Sequence, residues 1–235
     1  MCLKRITNMI IETMGRRRTP ETYTKALLHF DGTDGSTTFT DETGKIWTAH
    51  LTYLETSYKK FGVSCGFIGG LNAGSYLDTP SVDDFAFGSN DFTIDFQAYL
   101  SNTNIIHKIR FGTIATNWLD FYFIFYQSIP AWSLLTYYNV SEFSSPTANF
   151  PLSDWSYSNA WNHVAIVFSN GNTMKTYING ILNGTASFSY NIPAYKCTLL
   201  GGDIYGGYWD EFRISKGIQR WTSDFTPPTS AYTLD

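Results

Sequence analysis

Residues 199–232 read LLGGDIYGGYWDEFRISKGIQRWTSDFTPPTSAY, and this run decides the fold. Two glycine pairs, Gly201-Gly202 and Gly206-Gly207, feed a segment in which apolar and polar side chains alternate. Side chains along a strand point to opposite faces in turn. Tyr208, Asp210, Phe212 and Ile214 are therefore expected on one face, and Trp209, Glu211 and Arg213 on the other. One acid, Asp210, falls on the face that otherwise reads as core. A buried carboxylate requires a hydrogen-bonding partner or a cation. The glycines lead into a strand, not a helix, so they do not form a phosphate-binding loop.

The same alternation recurs upstream. Phe92, Ile94, Phe96, Ala98 and Leu100 alternate with Thr93, Asp95, Gln97 and Tyr99. Leu119, Phe121, Phe123 and Phe125 alternate with Asp120, Tyr122, Ile124 and Tyr126, and Val164, Ile166 and Phe168 continue the pattern. Period two over many short segments predicts an all-β fold, a two-sheet antiparallel sandwich. Asn179-Gly180, between two apolar runs, is the pair that a two-residue hairpin turn favours, and Asn170-Gly171 marks another turn. Aromatic residues make up 17% of the chain and charged ones only 15%, which suits packed sheets and excludes a disordered chain. At 235 residues there is room for one β domain and a short appendage. No apolar run reaches the ~18 residues of a spanning helix, so no membrane partner is expected.

The net charge of -4 conceals an asymmetry. Residues 1–25 hold Lys4, Arg5, Arg16, Arg17, Arg18 and Lys25 against Glu12 and Glu21, whereas the remainder holds ten basic and eighteen acidic residues. The chain therefore divides into a basic arm, 1–25, and an acidic body, 26–235. Ile6, Met9, Ile10 and Met14 recur near helical spacing in the arm. With Arg16, Arg17 and Arg18 they are expected to anchor it on an acidic protein surface. The arginine triplet follows the apolar stretch, the reverse of a secretory signal. It is also too small a patch for a nucleic-acid-binding domain. Three cysteines, Cys2, Cys65 and Cys197, match neither a disulfide framework nor a zinc site, and Cys65 and Cys197 read as isolated core thiols.

Four blocks carry a family resemblance. They are Leu27–Gly35 running on to Thr40–Lys45; Tyr76–Pro80 with Phe87–Phe96; Trp161–Ala165 through Tyr177–Gly180; and the C-terminal run quoted above. In this order they resemble laminin-G-like jelly rolls of the concanavalin A-like lectin/glucanase superfamily, of the type found in bacteriophage virion proteins. Phe96-Gln97 departs from the Phe-Trp usual in the second block, and the blocks do not reach residues 1–25. The resemblance implies a jelly roll that hosts lectins, glycanases, adhesion modules and structural shells alike.

The chemistry expected within that frame is binding. The glycanase pattern Glu-x-Asp-x-x-Glu is absent, with Asp91 and Asp95 as the acids near the corresponding strand. His29, His50, His107 and His163 are dispersed and match no catalytic motif, and His163 reads as a structural histidine. The resemblance implies one structural calcium ion between the N-terminal acidic loop and the C-terminal strand, with Asp31, Asp34, Asp41 and Asp210 as ligands. Turn-capping by the first three is the alternative. Trp118, Trp132, Tyr138, Trp155 and Tyr157, in and around the irregular stretch 127–160, are the candidate glycan-stacking rings. The expectation is a non-enzymatic virion surface protein, a capsid decoration or a tail-fibre component. The arm would hold it to other virion proteins in an oligomer or larger assembly, and the jelly roll would face host or environmental glycans. The alternative is a secreted or cell-surface carbohydrate-binding module.

Overall fold

The computed structural model of the chain describes residues 22–69, 74–100, 107–112, 121–128, 131–137, 146–152, 159–201 and 207–235, with the backbone alone at 100, 107, 121–128, 131–132, 137 and 201. Among the described residues, fifteen strands and a single 3-10 turn, Asp83–Phe85, make up the regular structure. The strands are β1 (Thr24–Leu28), β2 (Thr48–His50), β3 (Thr52–Glu55), β4 (Cys65–Ile68) and β5 (Tyr76–Asp78). Then come β6 (Phe92–Leu100), β7 (His107–Phe111), β8 (Phe121–Ser128), β9 (Ala131–Tyr137) and β10 (Ala148–Pro151). The last are β11 (Ala160–Ser169), β12 (Thr173–Ile178), β13 (Ile181–Ser187), β14 (Cys197–Gly201) and β15 (Gly207–Lys216). They form two antiparallel sheets. One runs β13-β12-β11-β6-β15-β4-β3, with β1 also on β15, and the other runs β10-β9-β8-β7-β14-β5-β2. The two-sheet antiparallel sandwich is the fold expected from the alternation. Because β1 starts at Thr24, Lys25 already belongs to a sheet, and the rest of the arm through residue 21 lies outside the described residues.

The core between the sheets is filled as the period-two pattern requires. Phe92, Ile94, Phe96 and Ala98 of β6 face Val164, Ile166 and Phe168 of β11 on the same side, and all are fully buried. Phe87, Phe92 and Phe168 stack at 4.2 and 4.3 Å. Cys65 and Cys197 are buried and unbonded, as read from their spacing. Both residues of the Asn179-Gly180 turn have positive φ, 50° and 84°, the conformation that a two-residue hairpin demands. A Cβ on Gly180 would also run into the Phe225 carbonyl, so glycine is required there twice over.

The strand that decided the fold does not alternate throughout. Its register on β6 shifts between Asp210 and Arg213, and Glu211 sits at φ 53°. This is a β-bulge, and the extra residue inverts the parity of everything after it. Trp209 joins Phe212 and Ile214 in the core, while Tyr208, Asp210 and Arg213 face outward. The expectation that Asp210 shares the core face with Phe212 and Ile214 is thus corrected. The bulge also divides the neighbours of β15: Gly207–Trp209 pairs with β4, and Phe212–Ser215 pairs with β1.

Outward here does not mean exposed. The segment after β15 folds back across the sheet. Trp221 and Phe225 stack at 4.1 Å and pack with Ala165, Val167 and Tyr177. Tyr232 is buried, and Asp235 is held by Arg220, the Thr24 hydroxyl and the Thr24 N–H. This strap explains why Thr93, Asp95 and Gln97, on the polar parity of β6, have no more than 1% exposure. Among the described residues no helix is long and apolar enough to cross a membrane.

Candidate functional site

The outer face of the β1-containing sheet has three zones, each set by what covers it. Under the strap lies a charged cluster. Arg213 donates from Nε and Nη2 to the two Asp95 oxygens at 3.0 and 2.8 Å, and its guanidinium carbon lies 4.4 Å from the centre of the Tyr232 ring. Burial pushes the Asp95 carboxyl up, but Arg213 and His163 together outweigh burial and hold it below the ordinary carboxylate range. The buried His163 ring stands 3.8 Å from Asp95, beyond hydrogen-bond reach, and packs edge-on to Trp221 and Phe225. Glu211, turned aside by the bulge, accepts the Tyr232 N–H at 2.7 Å and meets His29 at 2.9 Å. That contact with Glu211 raises the His29 pKa. Asp91 is held by the Asn170 N–H and the Gln219 amide. Both acids of the β6 segment are therefore engaged in structural contacts.

The middle zone is covered by the loop 57–64, which two carboxylates hold by its backbone. Asp210 Oδ2 accepts the N–H groups of Lys60 and Phe61 at 2.7 and 3.1 Å, and Asp31 Oδ1 accepts those of Val63 and Ser64 at 2.6 and 3.3 Å. Gly62, between them, has φ 60°, and a Cβ there would meet the Asp31 carboxylate. Burial pushes the Asp210 carboxyl up to about 7, against the two N–H groups that favour its charged form. The second Asp210 oxygen, Oδ1, is buried and has no hydrogen-bond partner.

The other two acids of the expected calcium set lie in different settings. Asp41 accepts the Trp47 indole N–H at 2.8 Å, the Thr43 N–H and hydroxyl, and the Leu27 N–H. Asp34 accepts the N–H and hydroxyl of Thr56. Among the described residues no three of His, Cys, Asp and Glu form a metal-holding group. Of the four, Asp210 alone has a buried oxygen with no hydrogen-bond partner, and Asp31 holds the same loop. Calcium accepts carbonyl and water oxygens beside carboxylates.

The third zone is aromatic, and the loop 57–64 reaches it with Tyr58. Tyr53 on β3 lies opposite Phe67 on β4; Phe67 lies opposite Tyr208 on β15; Tyr208 lies opposite Tyr99 on β6; Tyr99 lies opposite Trp161 on β11. One ring per strand thus crosses five neighbouring strands, with centroids 5.1, 5.2, 5.8 and 5.5 Å apart in turn. Tyr58, carried by the clamped loop, packs against Tyr208 at 4.4 Å and Tyr99 at 5.1 Å. Tyr53 and Tyr58 are 36% and 38% exposed, and the other four rings are half-buried. Burial raises the phenols of Tyr53 and Tyr99, and pushes Tyr208 up to about 12. Those three hydroxyls are therefore neutral at physiological pH, each able to donate and to accept.

None of these six rings was among the expected glycan contacts. Trp118, Tyr138, Trp155 and Tyr157 lie outside the described residues, as does the side chain of Trp132 on β9. The sequence signal for the row was weak: Tyr53 and Tyr99 are lone aromatics on the polar parity of their strands, Trp161 shares its parity with Ala165 and Val167, and the alternation put Tyr208 on the core face. Only the pairing order brings residues 53 and 208 to one strip.

The comparisons with known proteins agree with this architecture. The Laminin_G_3 family model, described as the concanavalin A-like lectin/glucanases superfamily, matches residues 71–218. Among solved structures, the chain is similar to the binding domain of Paraclostridial Mosquitocidal Protein 1, at 12% identity and a TM-score of 0.61 over 83% of this chain and 49% of that one. It is similar to the binding domain of botulinum neurotoxin serotype G, at 14% identity and a TM-score of 0.54 over 83% and 48%. It is also similar to domain 4 of AbnA, a GH43 extracellular arabinanase from Geobacillus stearothermophilus, in complex with arabinotriose. There the identity is 18% and the TM-score 0.54, over 83% of this chain and 93% of that domain. The chain spans about half the length of the two toxin domains. No curated protein matches it at the sequence level. Identities this low carry the fold and nothing finer, but the family model covers more than half of the sequence, and the chain belongs to the Laminin_G_3 family of the concanavalin A-like lectin/glucanases superfamily.

Proposed function

We propose that this protein is a non-enzymatic glycan-binding protein of a bacteriophage virion surface, as a capsid decoration or a tail-fibre component. The observation that carries the binding half is the aromatic row, exposed at Tyr53 and half-buried along the rest, with its neutral hydroxyls. Sugar rings present apolar C–H faces to aromatic planes and hydroxyls to polar tips, and Tyr and Trp offer both. Asp91 and Asp95 are engaged by neighbouring side chains and backbone, which supports binding without hydrolysis. The virion half rests on the four sequence blocks and on the basic arm, residues 1–25, which attaches the body to other virion proteins in a larger assembly. The likeness to an arabinanase domain solved with arabinotriose favours a second reading, a carbohydrate-binding module of a secreted or cell-surface protein.

A glycan array probed with the full chain tests the binding half. Retention of at least one glycan class, lost in Tyr208→Ala, is the expected result; no retention anywhere on the array contradicts it. Deleting residues 1–21, which leaves β1 and its contacts with Asp235 and Arg220 whole, tests the attachment half. The expected result is loss from particles with an unchanged melting temperature, and undiminished incorporation contradicts it.

The calcium ion belongs to the same proposal, held by Asp31 and Asp210 with carbonyl oxygens of the loop between them. At pH 8, above the raised Asp210 value, added Ca²⁺ is expected to raise the melting temperature by several degrees and EDTA to reverse it. Asp210→Asn should abolish the response. An identical melt with Ca²⁺ and with EDTA contradicts the site.

A further inference from the structure

The row of rings has a period, a direction and, among the described residues, two open ends, and each limits what it can hold. Its rings are supplied one per strand, so they repeat at the strand spacing of ~4.8 Å, and the strip runs ~19 Å across the strands. The measured centroid separations, 5.1–5.8 Å, follow that repeat. An extended β-1,4-linked sugar chain advances by a comparable length per residue, so each successive pyranose meets a new ring. Helical α-linked chains curve away from such a strip, and branched chains lift off it.

The ring planes are tilted against one another by 40°, 52°, 83° and 62°. A strip of this shape is corrugated, which suits a single chain and not the flat face of a crystalline polymer. Glu55, two residues from Tyr53 on the same face of β3, and Asp34 act on the Tyr53 end of the row and repel an anionic ligand, and the Tyr53, Tyr99 and Tyr208 hydroxyls are neutral, so the matching ligand is uncharged. Tyr58 meets the middle of the row from the clamped loop. The loop's anchor, Asp210, lies two residues along the same face of β15 from Tyr208, so the loop lies beside the strip and not across it.

The ends matter most. β3 is the last strand of its sheet, so the row runs out to an edge at Tyr53. At the other end β12 pairs with β11 only from Val164 onward, and no described strand continues the sheet beyond Trp161. A site that captures a chain terminus needs a wall at one end, and among the described residues neither end has one.

Building on the glycan-binding reading, we infer that the row is an open-ended site for the interior of an extended, neutral, β-1,4-linked glycan chain, with four to five sugar residues in contact at once. Calorimetric titration of the full chain with β-1,4-linked gluco-, xylo- and N-acetylgluco-oligosaccharides of two to six residues tests it. For at least one series, Kd is expected to fall by tenfold or more between the disaccharide and the pentasaccharide and then level off. Reduction of the terminal sugar to its alditol should leave hexasaccharide binding unchanged, and Tyr99→Ala should remove most of the gain with length. Equal affinity for disaccharide and hexasaccharide, or loss of binding on terminal reduction, overturns the inference while glycan binding itself stands. So does retention of only α-linked, branched or anionic glycans. Silence from every glycan, on the array as in the titration, overturns both.

Discussion

Arg213→Leu is expected to destabilise the protein by about 3–5 kcal/mol, because it leaves the fully buried Asp95 carboxylate without its charge partner. For a domain of this size that corresponds to a fall in melting temperature of roughly 10 °C. The guanidinium also lies over the Tyr232 ring, so the strap loses one of its fastenings. The pH dependence gives the cause away. In the native protein the Asp95 carboxyl is depressed, so its contribution is present above the unfolded value near ~3.9 and lost as pH falls through the folded value. In the variant only His163 still opposes burial, so the carboxyl rises from its native value. The deficit should then shrink as pH falls and Asp95 becomes protonated in the folded variant. Asp95→Asn combined with Arg213→Leu should recover much of the loss, since no lone charge stays buried. Chemical denaturation of the two variants across pH checks this. A deficit that is independent of pH, and no smaller in the double variant, would show that lost packing outweighs charge.

The second large effect is on binding. Replacing both Tyr99 and Tyr208 by alanine removes the centre of the row and the two rings against which Tyr58 packs. Central aromatic anchors commonly carry 2 kcal/mol or more each, which is about 30-fold per ring. Adjacent rings do not add independently, so the expected loss for the pair is about 100-fold, not the product. The fold should persist. Cross-strand pairs contribute roughly 0.2–1 kcal/mol each, and the core rows of the same strands are untouched. Titration of this variant against its parent, with circular dichroism as the control, checks it. Undiminished affinity with an intact fold would place the glycan elsewhere.

The two layers were legible in the residues because period-two alternation reports burial on one face, as β6 shows with Phe92, Ile94, Phe96 and Ala98. Both Asn-Gly turns were legible because positive φ narrows the choice of residue so sharply. The bulge in β15 was not. Glu211 occupies a conformation usually given to glycine or asparagine, and it is held there by His29 and the Tyr232 N–H, which are remote in sequence. The parity assigned to Asp210 failed for that reason alone. The strap was hidden too, since residues 217–235 show no periodicity and gain their meaning from Ala165, Val167 and Tyr177 beneath them.

Among the acids, the sequence offered Asp31, Asp34, Asp41 and Asp210 as one set, and nothing in it separated the two that hold the loop 57–64 from Asp41, whose carboxylate serves Trp47, Thr43 and Leu27. The aromatic row depends on strand order, which no local pattern encodes. A lone Tyr53 or Tyr208 carries no sign that they share one strip.

A crystal structure of the full chain with the glycan that the array retains tests the central claim most directly. The account predicts sugar density along Tyr53, Phe67, Tyr208, Tyr99 and Trp161, crossing the strands with Tyr58 at its flank. Density confined to the opposite sheet, or to the rim loops with the row left bare, would contradict it.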